Sequence, residues 1–239
     1  MLEIPFVLQT VKNTIIIAVM KIIIGAVVPI AVAILLNEIR IKLIRAGIQT
    51  LIYLPHFLSW VILSGILIDI LSTQGIVNGF LSSIFGIEPV FFLGDNNWFR
   101  YVLVVSDVWK EFGFSTIVYM AAIAGINPSL YESAMMDGAN RWKQALYITL
   151  PGMLPIIILL ATLSLGNVLN AGFDQVFNLY NPAVYETGDI IDTMIYRMGL
   201  VEMQYGLSTA VGLLKSVISF ILISISYWMA YRFANYRIF

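Results

Sequence analysis

Asp107, Lys110 and Glu111 share one stripe of a strongly apolar run, with Lys110 three residues and Glu111 four residues after Asp107. A charge at mid-bilayer costs about 2.5–3.5 kcal/mol on insertion scales, so such a group is expected to face protein or water. It reads either as part of a solute path or its gate, or as an internal ion pair that orients the helix. A second group, Asn167, Asn170, Phe173, Asp174, Gln175, Asn178 and Tyr180, followed by Asn181 and Tyr185, mixes planar amides, a carboxylate and aromatic rings. That mixture suits a sugar, which presents hydroxyls and apolar ring faces together. The same residues also suit an external loop that contacts a partner protein, with its aromatics anchored at a membrane surface. A third group, Tyr131 to Pro151, is a polar stretch between apolar runs. Lys21 and Lys215 stand alone in apolar surroundings and are expected to snorkel. His56 follows Pro55 and reads as a packing or hydrogen-bonding residue. One histidine and no cysteine leave little from which to build a metal site or a nucleophile–base pair.

The elements that hold these groups follow from composition. Hydrophobic residues make up 60% of the chain and charged residues 11%, too few to cover a water-facing surface. The predicted fold is all-α, a polytopic membrane helical bundle forming a single domain over residues 1–239. Five stretches approach the roughly 20 apolar residues a spanning helix needs: 14–36, 48–71, 99–126, 150–171 and 206–231. The connections alternate in charge. Arg40, Lys42 and Arg45 lie in one, Arg141 and Lys143 in another, and Arg232 and Arg237 in the tail. Glu88 and Asp95, then Asp174, Glu186, Asp189, Asp192 and Glu202, mark the opposite side. The positive-inside rule puts residues 127–150 and the C-terminus in the cytoplasm and the 172–205 loop outside. The N-terminus would then lie outside with nothing before Thr14 to carry it there, so a further span ahead of Met1 is expected. A basic head followed by an apolar run, the mark of a cleavable signal, is not evident among Glu3, Pro5 and Lys12.

Within 127–150, the run Asn127-Pro128-Ser129 offers a helix start, with Ser129 three residues ahead of Glu132 in capping-box register. Gly138 supplies a chain reversal, Asn140 can cap a second helix, and Pro151 is expected to end it. Glu132, Ala134, Asp137, Gly138 and Ala139, then Ile148, Leu150 and Pro151, lie at the spacing of the Glu-Ala-Ala loop. The chain therefore resembles the permease subunits of binding-protein-dependent ABC importers, of the type I transmembrane fold. Ser133 departs from the usual first alanine of that loop, but it is small enough for a packed helix. The resemblance implies that Glu132, Ser133, Ala134, Asp137, Gly138, Ala139 and Arg141 form a coupling helix seated on an ATP-hydrolysing subunit.

Leu36-Asn37-Glu38-Ile39-Arg40, Tyr53-Leu54-Pro55-His56-Phe57, Trp109-Lys110-Glu111, Asn170-Ala171-Gly172-Phe173-Asp174 and the stretch Leu179 to Tyr185 look like the oligosaccharide and polysaccharide-fragment branch, called LplB-like. The implied partners are two ABC ATPase subunits, a second and homologous permease, an extracytoplasmic solute-binding protein, a saccharide and the lipid bilayer of the cell membrane. No cofactor is implied on this chain, since ATP and Mg belong to the ATPase. Consistent with this, no Gly-x-x-x-x-Gly-Lys-Ser/Thr phosphate loop occurs. A net charge of −1 and the lack of a basic, aromatic-lined groove speak against nucleic acid. The competing reading is an ion-coupled secondary carrier or a non-transporting scaffold, although no convincing internal repeat supports a carrier.

Overall fold

The apolar runs become long helices because a bilayer offers the backbone no other hydrogen-bonding partners. The computed structural model describes residues 4–234. Glu3 and Arg237, which entered the sequence argument, lie outside the described residues. Helix α1 spans Ile4–Glu38 and tolerates Pro29 in its interior. Then come α2 (Lys42–Tyr53), α3 (Trp60–Leu71) and α4 (Ile76–Phe85). Next are α5 (Phe99–Ala124), α6 (Pro128–Met136), α7 (Arg141–Gln144) and α8 (Leu150–Gly166). Short helices α9 (Phe173–Leu179), α10 (Tyr185–Gly188) and α11 (Ile191–Tyr196) precede α12 (Tyr205–Ala234). No strand occurs among the described residues.

Among the described residues, four stretches are long and apolar enough to cross a membrane: Phe6–Glu38, Trp60–Phe85, Arg141–Gly166 and Tyr205–Trp228. A fifth qualifies if α5 and α6, bent by 70° at Gly125–Asn127, are taken as one broken span. The predicted span 48–71 is not a continuous helix. It breaks at a 3-10 turn, Leu54–Phe57, and Ser59 then caps α3 by accepting from the Ile62 N–H at 3.3 Å. Pro55 is the cause, because it donates no N–H and its ring crowds the preceding turn. The predicted span 150–171 also shifts. Its helical stretch begins at Arg141 and stops at Gly166, leaving 167–172 unwound.

The chain forms two compact units. One comprises residues up to Lys21, Leu58–Asp107 and Asn167–Ile221. Its core packs Ile17, Phe99, Leu103, Val176, Val184 and Ile190, all buried. Around that core, side chains hold α10 and the residue after it. Asn13 Nδ2 donates to the Glu186 and Asp189 carbonyls at 3.0 and 3.2 Å. Arg100 donates to the Thr187 carbonyl at 3.0 Å and to Asn13 Oδ1 at 2.7 Å. Fully buried Asp189 accepts both guanidinium arms of Arg197, at 2.7 and 3.2 Å. Burial alone would lower the Arg197 pKa, but the hydrogen bonds and charge of Asp189 outweigh it and hold the pKa above its ordinary value.

The second unit comprises Ile22–Phe57, Val108–Gly166 and residues from Leu222 onward. Its core gathers Ala33, Tyr119, Ile123 and Met153. Gly113 lets α5 lie against the backbone of α2, where an added Cβ would overlap the Ile52 carbonyl. Pro151, expected to end a helix, does not. A π-turn at Ala145–Thr149 widens the helix just before it, and the Leu150 N–H reaches back to the Ala145 carbonyl. The wider turn makes room for the proline ring, so the helix carries on into α8.

Candidate functional site

The loop between α5 and α8 folds as a helix–turn–helix knuckle within the second unit. Asn127, rather than the expected Ser129, caps α6: its Oδ1 accepts from the Ser129 N–H at 3.0 Å. Pro128 occupies the first helical position, where no N–H is needed, which displaces the cap two residues upstream of the capping-box reading. Gly138 takes φ +75°, a left-handed conformation that glycine adopts without penalty. Asn140 Oδ1 then accepts from the Lys143 N–H at 2.9 Å, capping α7 as expected. The second arm is braced by Gln144, which donates to the Ala139 carbonyl at 2.9 Å, and by a Tyr131–Thr149 hydroxyl contact at 3.0 Å.

Glu132, Ser133, Asp137, Gly138 and Arg141 are exposed, and Ala134 and Ala139 half-buried. Arg141 reaches Glu38 at 3.4 Å. The knuckle also presents apolar surface that the sequence reading left out: Met136 is 89% exposed and Trp142 78%. A fixed backbone that shows small residues, charges and two large apolar side chains to its surroundings is suited to docking.

In the first unit, the predicted sugar residues divide. A cavity of about 540 Å³ opens between the unwound turn before α9, α11 and the start of α12. Asn170 and Phe173 line it, and Asp192, Tyr196, Tyr205 and Lys215 join them. Lys215 Nζ donates to Asn170 Oδ1 at 2.8 Å and forms an ion pair with Asp192. Lys215 therefore does not snorkel, contrary to expectation; a carboxylate on α11 meets it instead. Phe173 stacks on Phe177 at 5.3 Å, and Tyr196 meets Phe177 edge-on at 4.7 Å. In the sequence Asp192 reads only as one of the external charges, and Tyr196 carries no assigned role. Their i, i+4 spacing on one short helix was the available signal.

Gln175 does not belong to that cavity. It is 0% exposed, donating to the Leu103 carbonyl at 2.7 Å and Ser106 Oγ at 2.8 Å and accepting from Lys21. Its role is to fasten α9 to α5. Asp174 is exposed, Asn178 donates back to the Asp174 carbonyl at 2.7 Å, and Asn167 accepts from Asn170. Tyr180 lies in an aromatic row, 6.2 Å from Phe177 and 5.2 Å from Tyr185. Burial, followed by the nearby Tyr185, pushes its phenol pKa up, against the opposing pull of Arg197.

The stripe of charges on α5 is not one internal ion pair. Asp107 pairs with Lys21 at 3.1 Å, and Lys21 also donates to the Ala171 carbonyl at 2.8 Å, tying the unwound turn to α1. Lys21 is thus a second expected snorkeller that is paired instead. In the other unit, Lys110 bonds Glu111 at 2.8 Å and the His56 carbonyl at 2.9 Å, an acceptor at the Pro55 break. His56 Nδ1 lies 2.7 Å from Glu111, and its ring stacks on Phe114 at 4.1 Å. No group of three or more His, Cys, Asp or Glu side chains placed to hold a metal occurs among the described residues.

The model of the family described as "Binding-protein-dependent transport system inner membrane component" matches residues 22–235. The polygalacturonan/rhamnogalacturonan transport system permease protein YteP of Bacillus subtilis (strain 168) is 41% identical over 224 residues, which is 94% of this chain and 70% of YteP. Protein LplB of the same organism is 39% identical over 230 residues, 96% of this chain and 72% of LplB. Among solved structures, a chain of a bacterial ABC transporter involved in import of the acidic polysaccharide alginate matches with a TM-score of 0.92 at 41% identity, covering 97% of this chain and 81% of that one. A chain of the bacterial alginate ABC transporter in complex with an alginate pentasaccharide-bound periplasmic protein gives 0.91 at 41% identity, covering 95% and 79%. With that family matched over nearly its whole length, the chain belongs to the binding-protein-dependent inner membrane components, the non-hydrolysing permease subunits of ABC importers.

Proposed function

We propose that this permease forms half of the path for an oligosaccharide or polysaccharide fragment, handed over by an extracytoplasmic binding protein. In this reading the knuckle at 127–144 faces the cytoplasm, as does the C-terminus, and is seated on one of two ABC ATPase subunits. ATP and Mg are bound by those subunits. The knuckle is the observation that carries the reading: two capped helical arms, a left-handed Gly138 between them, and exposed Met136 and Trp142. Glu132 and Arg141 offer charges to the groove, Ser133, Ala134 and Ala139 allow close backbone approach, and Asp137 ends the first arm. Closure of the ATPase dimer on ATP would draw the two knuckles of the permease pair together and turn the path outward; hydrolysis would return it. A braced helical arm transmits such a displacement where a loose tether would absorb it.

The saccharide class is supported by the names of YteP and of the alginate importer and by the aromatic and amide lining of the cavity. The cytoplasmic side is supported by Arg40, Lys42, Arg45, Arg141 and Lys143 in the connections on that side. The test is uptake in proteoliposomes reconstituted with the ATPase, the second permease and the binding protein. Gly138→Trp and Glu132→Ala should abolish ATP-driven uptake while membrane insertion is unchanged. Uptake that survives without the ATPase and collapses when an ion gradient is dissipated would overturn the reading in favour of an ion-coupled carrier.

A further inference from the structure

We propose that the Lys215–Asp192 pair makes the 540 Å³ cavity a subsite for an uncharged, hydroxyl-rich sugar ring, one that gains nothing from a carboxylate on the ligand. The inference rests on the saccharide-import reading and specifies which part of the solute this cavity takes. Its volume lies within the usual range of small-molecule sites. Among the described residues that line it, Lys215 and Asp192 are the only charged ones, and they are in direct contact. Their side chains are 14% and 23% exposed, so the pair sits largely away from water yet reaches the cavity.

The protein itself therefore neutralises the cation. A ligand carboxylate approaching Lys215 would stand almost as near to Asp192, so attraction and repulsion of similar size cancel. Its hydration would still be lost, leaving a net penalty. For a neutral ring the same pair is useful. The Asp192 carboxylate accepts from sugar hydroxyls and the Lys215 ammonium donates to sugar oxygens, both as charge-assisted bonds. Asn170 adds an amide held by Lys215, Ser208 and Thr209 add hydroxyls, and Phe173 and Tyr196 offer ring faces to an apolar sugar face.

Two probes of one size separate charge from shape: galactotriose and trigalacturonate, which differ by a hydroxymethyl or a carboxylate on each ring. Calorimetric titration of the assembled transporter should show the wild type binding galactotriose at least as tightly as trigalacturonate. Asp192→Asn leaves Lys215 unneutralised and should move the affinity ratio at least tenfold toward trigalacturonate. Lys215→Gln should move it the other way, and the double variant should return it to the wild-type value, with melting curves reporting that each variant is folded. A wild type that prefers trigalacturonate, or a ratio that Asp192→Asn leaves unchanged, would overturn the proposal. A failure of the import reading looks different: neither trisaccharide binds any variant and no saccharide stimulates the ATPase, and the proposal then falls with it.

Discussion

Replacing Lys21 by methionine tests whether a buried cation, rather than apolar packing, holds the unwound turn at 167–172. Methionine matches lysine in length and flexibility, so packing is largely kept and the loss is electrostatic. The ammonium contacts Asp107 at 3.1 Å, the Ala171 carbonyl at 2.8 Å and Gln175. Its own side chain is 10% exposed and that of Asp107 25%. Removing one partner of a buried pair costs about 3–5 kcal/mol, and the partial access of Asp107 to water places this case near 3 kcal/mol. For a chain of this size, a loss of 3 kcal/mol corresponds to a fall in Tm of roughly 6–12 °C. Thermal melting of the purified protein in detergent reads that fall, and amide exchange should rise at 167–172. Lys21→Met/Asp107→Asn removes the orphaned charge and should recover part of the loss. A fall below about 2 °C, or a double variant no better than the single, would refute the reasoning.

Gly113→Val should destabilise by about 1–3 kcal/mol through overpacking against the Ile52 carbonyl, with Gly113→Ala nearer the lower figure, both measured as Tm. Tyr180 gives an alkaline signature. Its folded pKa lies above the ordinary value of 10.0, so its stabilisation is complete below that pH and is lost as pH rises through the raised value. Tyr180→Phe should therefore melt with a shallower decline above about pH 10 than the wild type; parallel curves would count against a buried phenol.

Features set by near neighbours were legible in the sequence. Asn140, Gly138 and Pro128 act on backbone within a few residues, so their roles follow from residue type and spacing. The break at 54–59 was signalled by Pro55, yet hydropathy averages over a window and ran straight through it. The ion pairs were not legible. Lys21 and Asp107 lie 86 residues apart and Lys215 and Asp192 lie 23 apart, so a lone charge in an apolar run does not reveal its partner. Gln175 shows the same limit from the other side. Its type suits a sugar site, and only the packing of α9 against α5 makes it an internal fastener.

The π-turn before Pro151 has a mechanical consequence. Because the helix does not stop there, Arg141–Gly166 is a single rod of 26 residues, about 39 Å long. In the docking reading, a load applied at Trp142 would act at one end of that rod and be carried along its length. The extra residue in the wide turn offsets the side-chain faces on either side by about 100°, as a crank offsets a shaft. If the knuckle is docked as proposed, a push there would turn α8 about its axis as well as tilt it.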